Sequence, residues 1–92
     1  MIVYVEVEYQ IPDAHSLKEK RAVLQRMITR TKQKFNVSIA EIDHQNVWQR
    51  TRLALAVVSS SKASADREIN NALHYLQSNP AWEQLEVWRD YL

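Results

Sequence analysis

The chain has no glycine and no cysteine, and only two prolines among its 92 residues. Loops that cradle phosphate need glycine, because only a residue without Cβ lets the backbone turn sharply and approach the anion. A P-loop and a dinucleotide fingerprint are therefore both excluded, and no nucleotide cofactor is expected. Left-handed backbone positions must fall to Asn or Asp instead. Asn36 is expected to cap a helix C-terminus, and Asp43 to Asn46 to form a turn. Without cysteine there are no disulfides, no thiolate metal sites and no cysteine nucleophile, and a cytoplasmic setting is expected. The chain also lacks a basic leader and a long apolar run, so neither a secretory signal nor a membrane span is expected.

The residues that carry chemistry elsewhere are present but scattered. Asp13 with His15 and Asp43 with His44 have the types of metal ligands or acid–base pairs, yet neither pair has convergent partners in sequence. Asp13 and Asp43 read as turn formers, and His15 as the residue before a helix cap. His74 lies beside Tyr75 on a helix as a surface residue, and Ser59 to Ser61 has no histidine base nearby. No metal, cofactor or catalytic group is expected, and the reading is that of a non-enzyme.

Hydrophobic patterning divides the chain into six elements of a single domain, residues 1–92. Residues 2 to 11 alternate, with Val3, Val5, Val7, Tyr9 and Ile11 on one face and Tyr4, Glu6, Glu8 and Gln10 on the other. Pro12 stops that strand. Ser16 and Glu19 have capping-box spacing, with the Glu19 carboxylate expected on the Ser16 amide. The helix they start runs to about Phe35, with Leu17, Leu24, Met27, Ile28, Thr31 and Phe35 as its apolar stripe. Val37 to Ile42 and Gln49 to Ser59 read as two further strands. In the latter, Leu53, Leu55 and Val57 face one way, and Arg50, Arg52, Ala54, Ala56 and Val58 the other. Ala65, Ile69, Ala72, Leu73 and Leu76 mark a second helix, closed by Asn79-Pro80. A last strand covers about Gln84 to Tyr91.

The order β-α-β-β-α-β, with helices enough for one face of a four-stranded sheet, predicts an α+β ferredoxin-like two-layer sandwich: a four-stranded antiparallel sheet with two helices on one face. The first and third strands are then central. Glu6 and Glu8 fall near Arg50 and Arg52 on the uncovered face as a cross-strand charge match.

Charge is uneven. Residues 1–35 hold seven bases and four acids (+3), and residues 36–92 hold five bases and seven acids (−2), which together give the net +1. The first helix alone carries Lys18, Lys20, Arg21, Arg26, Arg30, Lys32 and Lys34 against Glu19. A solvated helix usually interleaves acids to form i,i+4 pairs. Their near absence points to a phosphate-bearing partner, with Lys18, Arg21, Arg26, Arg30 and Lys34 as its contacts and Arg50 and Arg52 as additions.

Tyr4 and Trp48 have the character of base-stacking aromatics on RNA-recognition sheets. The glycine–aromatic pattern of such sheets is missing, however, and Ala54, Ala56 and Val58 occupy the equivalent face. Trp48 is expected to plug the sheet edge. Ala54 and Ala56, with Ser38, Ala40, Tyr4 and Trp88, should make a shallow patch on the uncovered face, suited to a second sheet or to a homodimer packed face to face.

Three segments carry a family likeness: His15 to Arg21 (HSLKEKR), Phe35 to Glu41 (FNVSIAE) and Trp48-Gln49-Arg50. They resemble the signature of the YlxP-like family, a bacterial domain of unknown function, and the likeness runs along nearly the whole chain. The resemblance implies a small ferredoxin-like protein. It also implies a gene setting close to translation factors, ribosome-binding factor A among them. It implies no enzymatic activity and no catalytic residue. The complete absence of glycine departs from the family's habit without touching these segments.

Together these features give two expectations. The first is a non-catalytic module that docks on structured RNA or ribosomal particles through its basic first helix, with ribosomal RNA or a ribosomal subunit as partner and a role accessory to translation or ribosome assembly. The alternative is a protein-interaction or homodimer module working through the uncovered sheet face.

Overall fold

The computed structural model describes residues 1–92 as β1 (Ile2–Gln10), α1 (Leu17–Lys34), β2 (Ser38–Asp43), β3 (Arg50–Val58), α2 (Lys62–Gln77) and β4 (Glu83–Tyr91). The strands form one antiparallel sheet in the order β2-β3-β1-β4. Helix α1 lies against β2, and α2 against β1 and β3. This is the ferredoxin-like arrangement, with β1 and β3 central.

The alternation of β1 is what seats it. Val3, Val5, Val7 and Tyr9 are fully buried beneath the helices, and in β3 Thr51, Leu53, Leu55 and Val57 do the same. From α1 come Leu24 and Met27, and from α2 Ala65, Ile69, Ala72 and Leu76. Trp82, in the loop before β4, stacks on Tyr9 with ring centroids 4.3 Å apart and donates its indole N–H to the Leu76 carbonyl at 2.7 Å. That tryptophan is a core residue which periodicity could not assign, because it belongs to no periodic element.

Both helix starts are capped by serine. Ser16 Oγ accepts the Glu19 amide and Ser61 Oγ the Ser64 amide, each at 3.1 Å. The capping box is modified, since the Glu19 carboxylate takes the amide of His15 and not that of Ser16. The far end of α1 also differs from expectation. Phe35 is the C-cap, in extended conformation, and Asn36 is not left-handed. The one positive φ belongs to His44, at 64°. It lies in a turn closed by the Val47 amide on the His44 carbonyl, one residue beyond the position expected for Asp43 to Asn46.

Two residues of α1 exchange the roles that the pattern gave them. Leu17 is only half-buried and lies outside the core cluster, whereas Lys20 is 1% exposed. The Lys20 ammonium is 3.0 Å from Glu41 Oε2 on β2 and also donates to the His44 carbonyl. Glu41 in turn accepts the Thr51 hydroxyl at 2.6 Å. A buried lysine needs this kind of company, because an unpaired charge away from water is prohibitively costly. Lys20 is therefore a structural tie between α1 and the sheet, and it leaves the set of surface bases.

Candidate functional site

The uncovered face of the sheet has two halves. Strand register sets Ser38, Ala56 and Tyr4 in one row across β2, β3 and β1, and Ala40, Ala54, Glu6 and Trp88 in the next. All six residues expected for a sheet-face patch are thus brought together. Tyr4 and Trp88 meet edge to face with centroids 5.9 Å apart. Trp48 does not plug an edge; it is 49% exposed.

The other half is an ion-pair network. Arg52 reaches Glu6 at 2.7 Å, Glu86 at 3.1 Å and Glu8 at 3.3 Å, while Arg50 reaches Glu8 at 2.8 Å. His44 Nε2 is 3.2 Å from the same Glu8. The hydrogen bond from Arg52 holds the Glu6 carboxyl below its usual range, helped by the Tyr4 hydroxyl. Partial burial pushes Glu8 up, but its bonds to His44, Arg50 and Arg52 outweigh that and leave it lowered. The same carboxylates raise Arg52 above its ordinary value. Tyr4 is raised, first by burial and then by its bond to Glu6. The charge match foreseen between Glu6, Glu8, Arg50 and Arg52 is present. It also means that these two arginines are already engaged, on the face of the sheet opposite the helices.

Helix α1 is the contrast. Lys18, Arg21, Arg26, Arg30, Lys32 and Lys34 are all exposed, and none has an acid within 4.0 Å. Of the other six bases, Lys20, Arg50, Arg52, Lys62 and Arg89 are paired, and only Arg67 is not. The unpaired positive charge of the molecule is therefore concentrated on one helix. It is not one stripe. With 3.6 residues per turn, Arg26, Arg30 and Lys34 follow one flank, whereas Arg21 and Lys32 lie on the other. The crest between them is Ala22, Gln25, Thr29 and Gln33, with Lys18 at its start.

The Arg26 flank has a shape as well as a charge. Arg26 and Arg30 line a shallow cleft of about 220 Å³, and the far wall is Tyr75, Ser78, Asn79 and Pro80 at the end of α2. Lys34 extends the same edge, its ammonium 5.0 Å from the centre of the Tyr75 ring. Two guanidinium groups and the Asn79 amide nitrogen offer hydrogen-bond donors to an anion without requiring glycine, while the Ser78 hydroxyl already donates to the Tyr75 carbonyl. A sequence reading could list these bases. It could not say that this flank borders a cleft walled by the end of α2, because that wall comes from a segment about fifty residues further on; on the other flank, Lys32 lines a second cleft with Val37, Ser38 and Ala56.

Residues 2–89 match the family model described as "Protein of unknown function (DUF503)". The chain is 50% identical over 84 residues to a Bacillus subtilis (strain 168) protein described as "Uncharacterized protein YlxP", covering 91% of each. Among solved structures, a de novo designed protein called Foldit4 aligns with a TM-score of 0.62 at 14% identity, over 100% of this chain and 99% of its own. A C-terminal segment of the alpha subunit of aIF2 from Pyrococcus abyssi aligns with a TM-score of 0.55 at 13% identity, over 98% of this chain and 51% of its own. A designed protein with a ferredoxin fold gives 0.52 at 15% identity, over 98% and 83%. At these identities the structural likenesses speak for the fold alone. No helix is long and apolar enough to cross a membrane.

Proposed function

The chain belongs to the family described as "Protein of unknown function (DUF503)", and from that premise we propose that it is a non-catalytic binding module for structured RNA, docking on ribosomal particles through α1. The observation that carries this reading is the partition of its bases: six of the seven unpaired ones are on α1. Exposed cations kept free of acids are suited to phosphates, which release counterions when neutralised. The contacts are Arg26, Arg30 and Lys34 along the cleft, with Lys18 and Arg21 at the helix start. Arg50 and Arg52 are left out of the docking set, since both are held by carboxylates on the opposite face.

Charge reversal tests the reading. Arg26→Glu with Arg30→Glu removes the phosphate contacts but touches no buried group, so the protein stays folded and ceases to co-sediment with ribosomal subunits. A folded double variant that still co-sediments contradicts it.

A second reading rests on the exposed Trp88 against half-buried Tyr4, beside Ala54 and Ala56, a flat apolar patch rimmed by charge that suits a protein partner. It predicts that Ala54→Lys with Ala56→Lys abolishes capture of that partner and leaves RNA docking intact.

A further inference from the structure

Strand β4 closes one side of the sheet, and its outer edge has no neighbour. Ile2 and Leu92 exchange both backbone hydrogen bonds, at 3.3 and 2.9 Å, which makes them a hydrogen-bonded pair of the β1–β4 ladder. Counting in steps of two along the register, Asp90, Trp88 and Glu86 also direct their N–H and C=O groups towards β1. Tyr91, Arg89 and Val87 therefore direct theirs outwards. The Tyr91 amide is taken by the Asp90 carboxylate at 2.9 Å, so the open donors and acceptors centre on Val87 and Arg89.

The side chains here are also uncovered. Val87 is on the helix side of the sheet yet 41% exposed, Leu85 is 44% exposed, and Trp88 on the other side is 48% exposed. Native edges are usually blunted by lysine, proline or a bulge that twists the strand away. This edge has no lysine and no proline, and its bulge falls beside Leu85, at the far end of the open stretch.

The sequence of the edge selects its occupant. In an antiparallel pairing of β4 with a two-fold-related copy, residues on the same side of the sheet face one another. Centring the pair on Glu86 or Arg89 sets like charges opposite each other, and centring it on Trp88 sets Glu86 against Asp90. Centring on Val87 avoids this. Val87 then meets Val87 of the second copy, Glu86 meets Trp88, and Leu85 meets Arg89, whose guanidinium is already held by Asp66 and Asn70. The two Trp88 rings become diagonal neighbours, which extends the Tyr4–Trp88 contact into an aromatic row across the joint. We propose that this protein forms a two-fold dimer through antiparallel pairing of β4 with β4, centred on Val87, to give a continuous eight-stranded sheet.

A ladder of about five residues a side buries a contact at the small end of specific interfaces, so the dimer is concentration-dependent. Independently of what α1 binds, the two-fold axis is perpendicular to the sheet and sets both α1 helices on the same side. Their separation follows from strand spacing, about 30 Å, a bivalent arrangement.

The test uses the absence of native cysteine. In the Val87-centred register the facing Cα atoms are about 5.5 Å apart, within the range a disulfide spans. Val87→Cys is expected to give a disulfide-linked dimer on mild oxidation, while Ala54→Cys on the uncovered face stays monomeric. Val87→Pro removes an outward amide that the β1 ladder does not use, so it should keep the monomer's circular dichroism and unfolding midpoint while abolishing the dimer in sedimentation velocity. Two results overturn the proposal. One is a wild type that stays monomeric at millimolar concentration, which leaves the edge to an extended segment of another protein. The other is a dimer that survives Val87→Pro and cross-links through Ala54→Cys.

Discussion

The ammonium of Lys20 sits 3.0 Å from the carboxylate of Glu41, and it is the one ion pair joining α1 to the sheet. Its surroundings make it a structural device: Lys20 is fully buried and also donates to the His44 carbonyl, while Glu41 accepts the Thr51 hydroxyl. Removing one partner of a buried pair leaves the other charge uncompensated. Lys20→Met is therefore expected to cost about 3 kcal/mol in urea unfolding. Lys20→Met with Glu41→Leu should recover most of the loss, because neither charge is then stranded. Equal destabilisation in the single and double variants would contradict this.

Tyr9 is buried, and its hydroxyl has no hydrogen-bond partner. Burial alone drives its ionisation far up. A buried polar atom without a partner costs about 1–3 kcal/mol. Tyr9→Phe keeps the ring stacked on Trp82 and removes that cost, so the unfolding midpoint should rise, by about 1 kcal/mol in stability. A fall would show that the hydroxyl is satisfied.

Stability should decline in acid, and the sign follows from the shifts. Glu6 and Glu8 are held below the ordinary carboxyl value in the folded state, by Arg52 above all for Glu6 and by His44, Arg50 and Arg52 together for Glu8. Asp66 is lowered first by the Tyr91 hydroxyl. A group lowered on folding contributes stability that is fully present above its unfolded value, about 4 to 4.5, and lost as pH falls through the folded value. Thermal midpoints measured from pH 7 to 3 should drop most below about 4.5. Arg52→Gln should flatten that drop while lowering the plateau at pH 7, and an unchanged acid limb would contradict the assignment.

Much of the fold was legible because β1 alternates cleanly and both helices begin at a serine that the backbone needs as a cap. The Glu6/Glu8 match to Arg50/Arg52 was legible for the same reason: a period of two and a known strand order fix which residues face each other. Three features were not legible, each for a physical reason. Lys20 reads as a surface residue until Glu41 of β2 and the His44 carbonyl just beyond it arrive from a distant part of the chain. Trp82 lies in a loop without periodicity. That Arg26 and Arg30 border a cleft depends on where α2 ends, which no local pattern encodes.

The distinction between paired and unpaired bases also separates two variants that composition treats as equivalent. Arg52→Glu should destabilise the protein by stranding Glu6, Glu8 and Glu86. Arg30→Glu should leave stability within about 0.5 kcal/mol, as for other exposed substitutions. Chemical denaturation of the two checks this, and equal losses would mean that Arg30 has a structural partner.

The central claim is that the unpaired bases of α1 contact phosphates, and its most direct test is the salt dependence of binding to ribosomal subunits. Neutralising about four phosphates should weaken binding about a hundredfold between roughly 50 and 200 mM salt, and each base removed from the Arg26 flank should lower the slope of log affinity against log salt by about one. Binding of equal strength at both salt concentrations would contradict the account.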